Sequence, residues 1–252
     1  MIQLSLRSKN FAIISNPTIP KAEKEALLIL VGFGSKTHNV KKIATYFSNK
    51  GYDLFQPDFI CRKSIAKGIS KLDDFVEKEG LKSYKKLHVF CYIIGGWTFN
   101  QWLTNTRLPN LASVIFDRSP LQERAPKALM IDLPIIIRLL VGNVIRELAE
   151  TPYPPMNKGA VKIGILIETE PTKVILNHKK AAATIGPLKW DVASLQQEYD
   201  DYCYVPLNHD DFYSTFELIG SMIFPFLKEG VFPIEANRIK PTNNPLQPLI
   251  DK

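Results

Sequence analysis

Apolar runs alternate with helical periodicities along most of the chain. Continuous apolar stretches such as Ala26–Phe33 are typical of strands that are buried on both faces of a sheet. The pattern predicts strands at Gln3–Arg7, Phe11–Ser15, Ala26–Phe33, Tyr52–Gln56, Leu87–Cys91, Ser113–Phe116, Val161–Ile167 and Asp201–Val205. Apolar residues at helical spacing predict helices at Asn39–Asn49, Lys63–Glu79, Gly96–Leu103 and Ser214–Leu227. This alternation favours an α/β fold, with a mostly parallel central sheet flanked by helices.

The alternation is interrupted once, between Ser119 and Gly159. That interval contains an apolar helical segment, Leu133–Leu148, and it predicts a small helical cap formed by an insertion at about 121–155. The remainder of residues 1–230 is expected to form a single domain. From Val231 onward the chain is rich in proline and asparagine and has little to bury, so residues 231–252 are predicted to form an extended tail.

Composition narrows the class of protein. The chain has 252 residues, of which 45% are hydrophobic and 23% charged, as in globular proteins. The formal net charge is +7, but the lysines occur as separated pairs, which favours a solvated surface over a nucleic-acid site. The longest apolar segment, Leu133–Val144, contains Arg138 and is too short to cross a bilayer. No signal peptide and no transmembrane segment are therefore predicted.

The three cysteines, Cys61, Cys91 and Cys203, fit no metal-binding motif. Their odd number favours a reducing, cytoplasmic location. No glycine-rich phosphate-binding loop follows a strand, because Gly32 and Gly34 have no further glycine at the required spacing. The sequence therefore predicts neither a metal nor a cofactor, and leaves open a small-molecule ligand and a protein partner.

The segment Leu87–Gly96 carries the most informative chemistry. It is a predicted strand followed by a turn, two glycines and a helix, which is the setting of a nucleophile elbow with the pattern G-x-S-x-G. The residue at the apex of that turn is Ile93. Isoleucine cannot attack a carbonyl group or carry a proton. No G-x-S-x-G pattern occurs elsewhere in the chain.

Three segments carry a resemblance to a known family: Val31-Gly32-Phe33-Gly34-Ser35, the turn segment Cys91–Gly96, and Asn208-His209-Asp210-Asp211-Phe212. Through these segments, residues 1–230 resemble the α/β-hydrolase superfamily. The resemblance places Ile93 at the nucleophile position and His209 at the catalytic histidine. It implies that the backbone N–H groups of Phe33 and Ile94 face an oxyanion. The acid stays open between Glu170 and Asp117, with Glu168 as a third candidate.

The resulting hypothesis is a hydrolase-like protein that has lost serine-hydrolase activity and binds an apolar or acyl-bearing small molecule. Tyr92 and Trp97, which flank the elbow, are the side chains predicted to contact that ligand. One alternative is an active enzyme that uses Cys91 as nucleophile or His209 as general base. The other alternative is a scaffold, in which the fold serves only as an interaction surface.

Overall fold

The computed structural model describes residues 3–7, 10–33, 37–47, 50–117, 124–170, 172–185, 191–208, 211 and 215–242. Its centre is an eight-stranded sheet with the spatial order β1-β2-β4-β3-β5-β6-β7-β8. The strands are β1 (Gln3–Arg7), β2 (Asn10–Ile14), β3 (Glu25–Leu30), β4 (Tyr52–Gln56), β5 (Lys86–Tyr92), β6 (Leu111–Asp117), β7 (Lys162–Glu168) and β8 (Asp201–Val205). Strands β3 to β8 are parallel, and β1 and β2 form an antiparallel hairpin that pairs with β4. The predicted mostly parallel sheet is confirmed.

Nine α-helices lie within the described residues. They are α1 (Thr37–Phe47), α2 (Ile65–Lys78), α3 (Ile94–Leu103), α4 (Arg124–Asp132), α5 (Pro134–Val141), α6 (Val144–Glu150), α7 (Lys173–Asn177), α8 (Lys179–Thr184) and α9 (Phe216–Glu229). None of the helices in the described ranges combines the length and the apolarity needed to cross a membrane.

The sheet has a hydrophobic core on each face, because its central strands are mostly apolar and are buried at every position after the first. On one face, α1 and α9 pack through side chains such as Phe47, Ile219 and Phe226. On the other face, α2, α3 and α6 contribute Leu72, Trp97 and Leu148 to a second cluster. The parallel strands all end on the same side of these two layers, which defines a carboxyl end where a site can form.

The apolar segment predicted as one helix over Leu133–Leu148 is two helices, α5 and α6. Leu133 leaves the helical conformation ahead of Pro134, as expected for a residue that precedes proline. Gly142 then ends α5 with a φ of 95°, a conformation that glycine adopts without a steric penalty. Helix α4, which precedes them, contacts both α6 and α8.

The chain after Val231 buries more than its composition suggested. Within residues 231–242, Phe232 is buried and its ring centroid lies 4.7 Å from that of Phe226. Arg238 donates two hydrogen bonds to Asp201, from Nε to Oδ1 (2.9 Å) and from Nη2 to Oδ2 (2.7 Å). This segment, which we call the C-terminal strap, is therefore fastened to β8.

Candidate functional site

The turn between β5 and α3 has the backbone geometry of a sharp strand-to-helix elbow. Strand β5 ends at Tyr92, α3 begins at Ile94, and Ile93 between them has φ 54° and ψ −110°. Among the described residues other than glycine, only Ile93 has a positive φ. A β-branched residue is a genuine outlier in that region, and such strain costs on the order of 1–3 kcal/mol. The fold therefore holds Ile93 at the apex of the turn against its own conformational preference.

Close packing behind the turn explains how the fold maintains this strain. A Cβ atom placed on Gly95 would lie 2.1 Å from the carbonyl oxygen of Leu30, at the end of β3. Helix α3 approaches β3 this closely only because residue 95 has no side chain. The N–H of Ile93 also donates to the carbonyl of Asp117 (3.3 Å), and the N–H of Gly96 donates to the carbonyl of Ile93 (3.1 Å).

The side chain of Ile93 lies against the loop that follows β3. It is half-buried and packs against the core beneath α1 and α9. A Cβ placed on Gly32 would lie 3.5 Å from Cδ1 of Ile93, which shows how near this methyl group is to the loop backbone. The next residue, Phe33, is 40% exposed, and residues 34–36 lie outside the described part of the chain. A hydrocarbon group thus occupies the space between the turn and this loop.

Ile94 is the first residue of α3, so its N–H is one of the four at the helix start that have no partner within the helix. Such N–H groups, aided by the helix dipole, favour negative charge. This placement is compatible with the oxyanion role predicted for the Ile94 backbone. The side chain of Ile94 is buried among α2 and α3 residues.

The candidate acids follow adjacent strands. Asp117 ends β6 and pairs in register with Tyr92, so it lies directly beside the elbow, and it is completely buried. Glu168 ends β7 and is also buried, whereas Glu170 is exposed. The structure thus places Asp117 nearest to Ile93 in the sheet.

The segment that leads to the predicted histidine runs alongside the candidate acids. Thr169 N–H donates to Val205 O (2.9 Å), and Glu170 N–H donates to Leu207 O (3.1 Å). The chain therefore brings Glu170 beside the residues that immediately precede His209. His209 itself lies outside the described residues.

Cys91 and Trp97 are core residues in this structure. Cys91 is fully buried, and burial raises the pKa of its thiol well above the usual value, which makes it a poor nucleophile.

Trp97 is buried on the face with α2 and α3, with its ring centroid 5.5 Å from that of Tyr153, whereas Ile93 packs on the opposite face. Tyr92 is also buried and packs on the Ile93 side, where a Cβ on Gly32 would lie 3.4 Å from its ring. Trp97 and Ile93 are therefore not brought together.

Within the described ranges, no group of three or more histidine, cysteine, aspartate or glutamate residues is arranged to hold a metal ion.

Sequence reasoning overlooked a polar cluster at the opposite, amino end of the parallel strands. Asp53 is buried and accepts hydrogen bonds from Lys24 Nζ, from Tyr84 OH (2.7 Å) and from the N–H and hydroxyl of Ser15 (2.9 Å each).

Nearby, the buried ring of His88 contacts Ser113 Oγ (2.7 Å) and Glu25 Oε2 (3.3 Å). Polar residues inside otherwise apolar strands were the signal that could have revealed this cluster.

Comparisons with known proteins agree on the fold. A scan against protein-family models found no match, and no curated protein matches the chain significantly. Among solved structures, Est1E from Butyrivibrio proteoclasticus has a TM-score of 0.56 at 13% identity, covering 91% of this chain and 98% of its own. Mouse alpha/beta hydrolase domain-containing protein 10 has a TM-score of 0.54 at 10% identity, covering 91% and 99%. An alpha/beta hydrolase enzyme from the sediment metagenome of the Mar Chica lagoon, Morocco, has a TM-score of 0.53 at 12% identity, covering 90% and 98%.

The chain therefore has the α/β-hydrolase fold, over nearly the whole length of these structures. At this level of identity the likeness defines the architecture and leaves the chemistry to be argued from the residues.

Proposed function

We propose that this protein has lost serine-hydrolase activity and uses its hydrolase fold to bind an apolar or acyl-bearing small molecule. The observation that carries the proposal is Ile93, held at φ 54° between β5 and α3. In this fold the apex of that turn is the place of the reacting side chain. Isoleucine offers neither a lone pair nor a proton, so no acyl-enzyme can form there.

The expected loss of rate is large. In a serine hydrolase, removing the nucleophile costs on the order of a million-fold in kcat, and the remaining groups recover little of that. An oxyanion site at Phe33 and Ile94 would be unable to compensate, because it stabilises charge that develops only after attack. The methyl groups of Ile93, which lie beside this oxyanion site, favour contact with the hydrocarbon part of a ligand.

The burial of Cys91 speaks against the alternative in which a thiol replaces the serine. Its thiol lies in the sheet core, and its raised pKa disfavours the thiolate that would have to attack. A mechanism with His209 as a general base stays a separate hypothesis, and none of the contacts made by the described residues supports it. A cytoplasmic location, and a cap formed by residues 121–155 over the site, are further parts of the proposal.

Hydrolysis of p-nitrophenyl acetate and p-nitrophenyl butyrate tests the loss of activity. We expect the wild-type protein to release p-nitrophenol no faster than its His209→Ala variant. Ile93→Ser is expected to raise the rate measurably above Ile93→Ala, the matched control that opens the same space without adding a hydroxyl. Rapid wild-type hydrolysis that His209→Ala abolishes would contradict the proposal.

Ligand binding is measured separately, by equilibrium dialysis with radiolabelled octanoate. We expect saturable binding that Ile93→Asp weakens, because a charge would replace the hydrocarbon surface. Absence of saturable binding, together with absence of hydrolysis, would favour the scaffold interpretation of the fold.

A further inference from the structure

Helix α5 presents an apolar surface to solvent. Although its sequence is PIIIRLLV, none of its residues is buried. Five large apolar side chains on α5 and the end of α4, here called the α5 patch, are mostly exposed: Ile131 (54%), Ile135 (74%), Ile136 (51%), Leu139 (72%) and Leu140 (69%). Exposed apolar side chains clustered on one helix in this way are a recognised mark of an interaction site.

The backbone beneath the α5 patch is held in place by the loop ahead of α2. Arg62 donates from Nη2 to the carbonyl of Leu139, and the carbonyl of Arg62 accepts from the N–H of Val144 (3.2 Å). A Cβ on Gly142 would lie 2.2 Å from that same carbonyl, so the chain at the end of α5 is packed directly on this loop. Val141 faces inward and packs against the core. Helix α5 is therefore packed against the rest of the protein, and the side chains of the α5 patch are exposed although the helix itself is held in place.

Basic side chains accompany the patch. Arg138 lies within α5 and is exposed, and Arg62, Lys63 and Lys127 are exposed on neighbouring segments. Among the described acidic groups of this region, Asp132 and Glu150 are also exposed, and they lie against His178 and Arg146 respectively. Glu147 accepts from the N–H of Ile65 at the start of α2 (2.7 Å). The surroundings of the patch thus combine exposed hydrocarbon with positive charge.

This combination distinguishes between occupants. A second copy of the chain would bring the same basic groups against their like, and each copy carries a net charge of +7. An anionic bilayer surface accepts both features, because its acyl boundary takes the apolar side chains and its headgroups attract arginine and lysine. Eight helical residues extend only about 12 Å, so α5 can lie in the interface but cannot cross the bilayer.

We propose that the α5 patch binds the protein to the surface of anionic phospholipid membranes, with α5 in the plane of the headgroups. The binding is peripheral and reversible. It does not depend on any chemistry at Ile93, since the patch and the elbow are separate elements.

Co-sedimentation with phospholipid vesicles tests the proposal. The probes are vesicles of phosphatidylcholine alone and of phosphatidylcholine with about 30 mol % phosphatidylserine, within the range of anionic cell membranes. We expect the full-length protein to sediment with the anionic vesicles and to do so at least fivefold less with the neutral ones. Raising the salt to about 0.5 M is expected to weaken binding, because screening shortens the range of the attraction.

The decisive variant combines Leu139→Gln with Leu140→Gln, which we expect to lower the vesicle partition coefficient at least tenfold. Arg138→Gln removes one charge and is expected to lower it about fivefold. The matched control combines Ile234→Gln with Ile239→Gln, two apolar side chains that are even more exposed but lie on the C-terminal strap. It is expected to leave the partition coefficient unchanged. Thermal unfolding verifies that each variant is folded.

Two outcomes would overturn the proposal. One is equal sedimentation of wild type and the Leu139→Gln, Leu140→Gln variant with anionic vesicles. The other is a concentration-dependent dimer, seen by analytical ultracentrifugation without vesicles and abolished by the same variant, which would identify a second copy of the chain as the occupant of the patch.

Discussion

The two ends of the parallel strands differ in what they hold. The amino end contains a buried ion pair, whereas the carboxyl end contains a residue in an unfavourable backbone conformation. At the amino end, Asp53 and Lys24 are both buried, and Asp53 is surrounded by hydrogen-bond donors. At the carboxyl end, Ile93 is held in a strained backbone conformation although its side chain carries no reactive group. Strain is usually found where a site needs it. At the amino end the buried charges thus have matching partners, whereas at the carboxyl end the backbone is held against the conformational preference of Ile93.

The buried ion pair at the amino end is expected to show the largest effect. Asp53→Ala leaves the ammonium group of Lys24 buried without its carboxylate, which costs about 3–5 kcal/mol of the free energy of unfolding. Asp58→Ala is the matched control, since its contact with Lys71 is far more exposed and is worth about 1 kcal/mol or less. Urea unfolding of both variants measures the difference. Equal losses would show that the burial of the Lys24–Asp53 pair does not raise the cost of losing its carboxylate.

His88 makes the amino end sensitive to acid. Burial lowers the pKa of His88 to about 4, despite the opposing effect of Glu25, while Lys86 and Lys228 lower it slightly. The unfolded chain binds a proton near pH 6.5 and the folded chain only near pH 4, so stability falls as the pH decreases through this window. The loss on complete protonation is on the order of 3 kcal/mol.

Urea unfolding at several pH values between 4.5 and 7.5 checks this behaviour. His88→Gln removes the titrating group, so its free energy of unfolding is expected to change less over this range than that of the wild type. A pH dependence identical to that of the wild type would show that His88 is not the group responsible. The lowered pKa of Glu25 adds a loss of its own only at lower pH, because its carboxylate protonates below its ordinary value of 4.5.

The carboxyl end is expected to show the smallest effect. Ile93→Gly loses a half-buried side chain but relieves the strain at φ 54°, so the free energy of unfolding is expected to change by about 1 kcal/mol or less. Ile115→Gly, at a fully buried position of β6 that has no positive φ, is expected to cost about 4 kcal/mol or more. If the two substitutions cost the same, the turn at Ile93 stores no strain.

Much of the fold could be predicted from the sequence, because buried parallel strands leave apolar runs that need no long-range information. All eight predicted strands are present, and the turn at Ile93 was found from the glycines that follow it. Pro134 also indicates that the helix of the cap segment is interrupted at Leu133, although the apolar periodicity alone predicts a single helix there. The short helices α7 and α8 were not predicted, because a segment such as KKAAAT carries no apolar periodicity.

The side-chain environment of the site was harder to predict. Trp97 follows the elbow by four residues, but the direction of α3 turns its ring into the core on the other face of the sheet. The choice between Asp117 and Glu170 depends on how two neighbouring strands end, and sequence spacing does not encode that register. The polar contacts of Asp53 join residues as far apart as 38 positions, which no local pattern reveals.

The C-terminal strap has a consequence for how the molecule meets its neighbours. Strand β8 is the last strand of the sheet, and an uncovered outer strand is a template on which other chains can assemble. The N–H of Tyr204 instead donates to the carbonyl of Asn237 (2.7 Å), and the ion pair of Arg238 with Asp201 holds that contact in place. The C-terminal strap thereby covers part of the outer edge of β8, and we expect that removing it would leave this edge open to pairing with other chains.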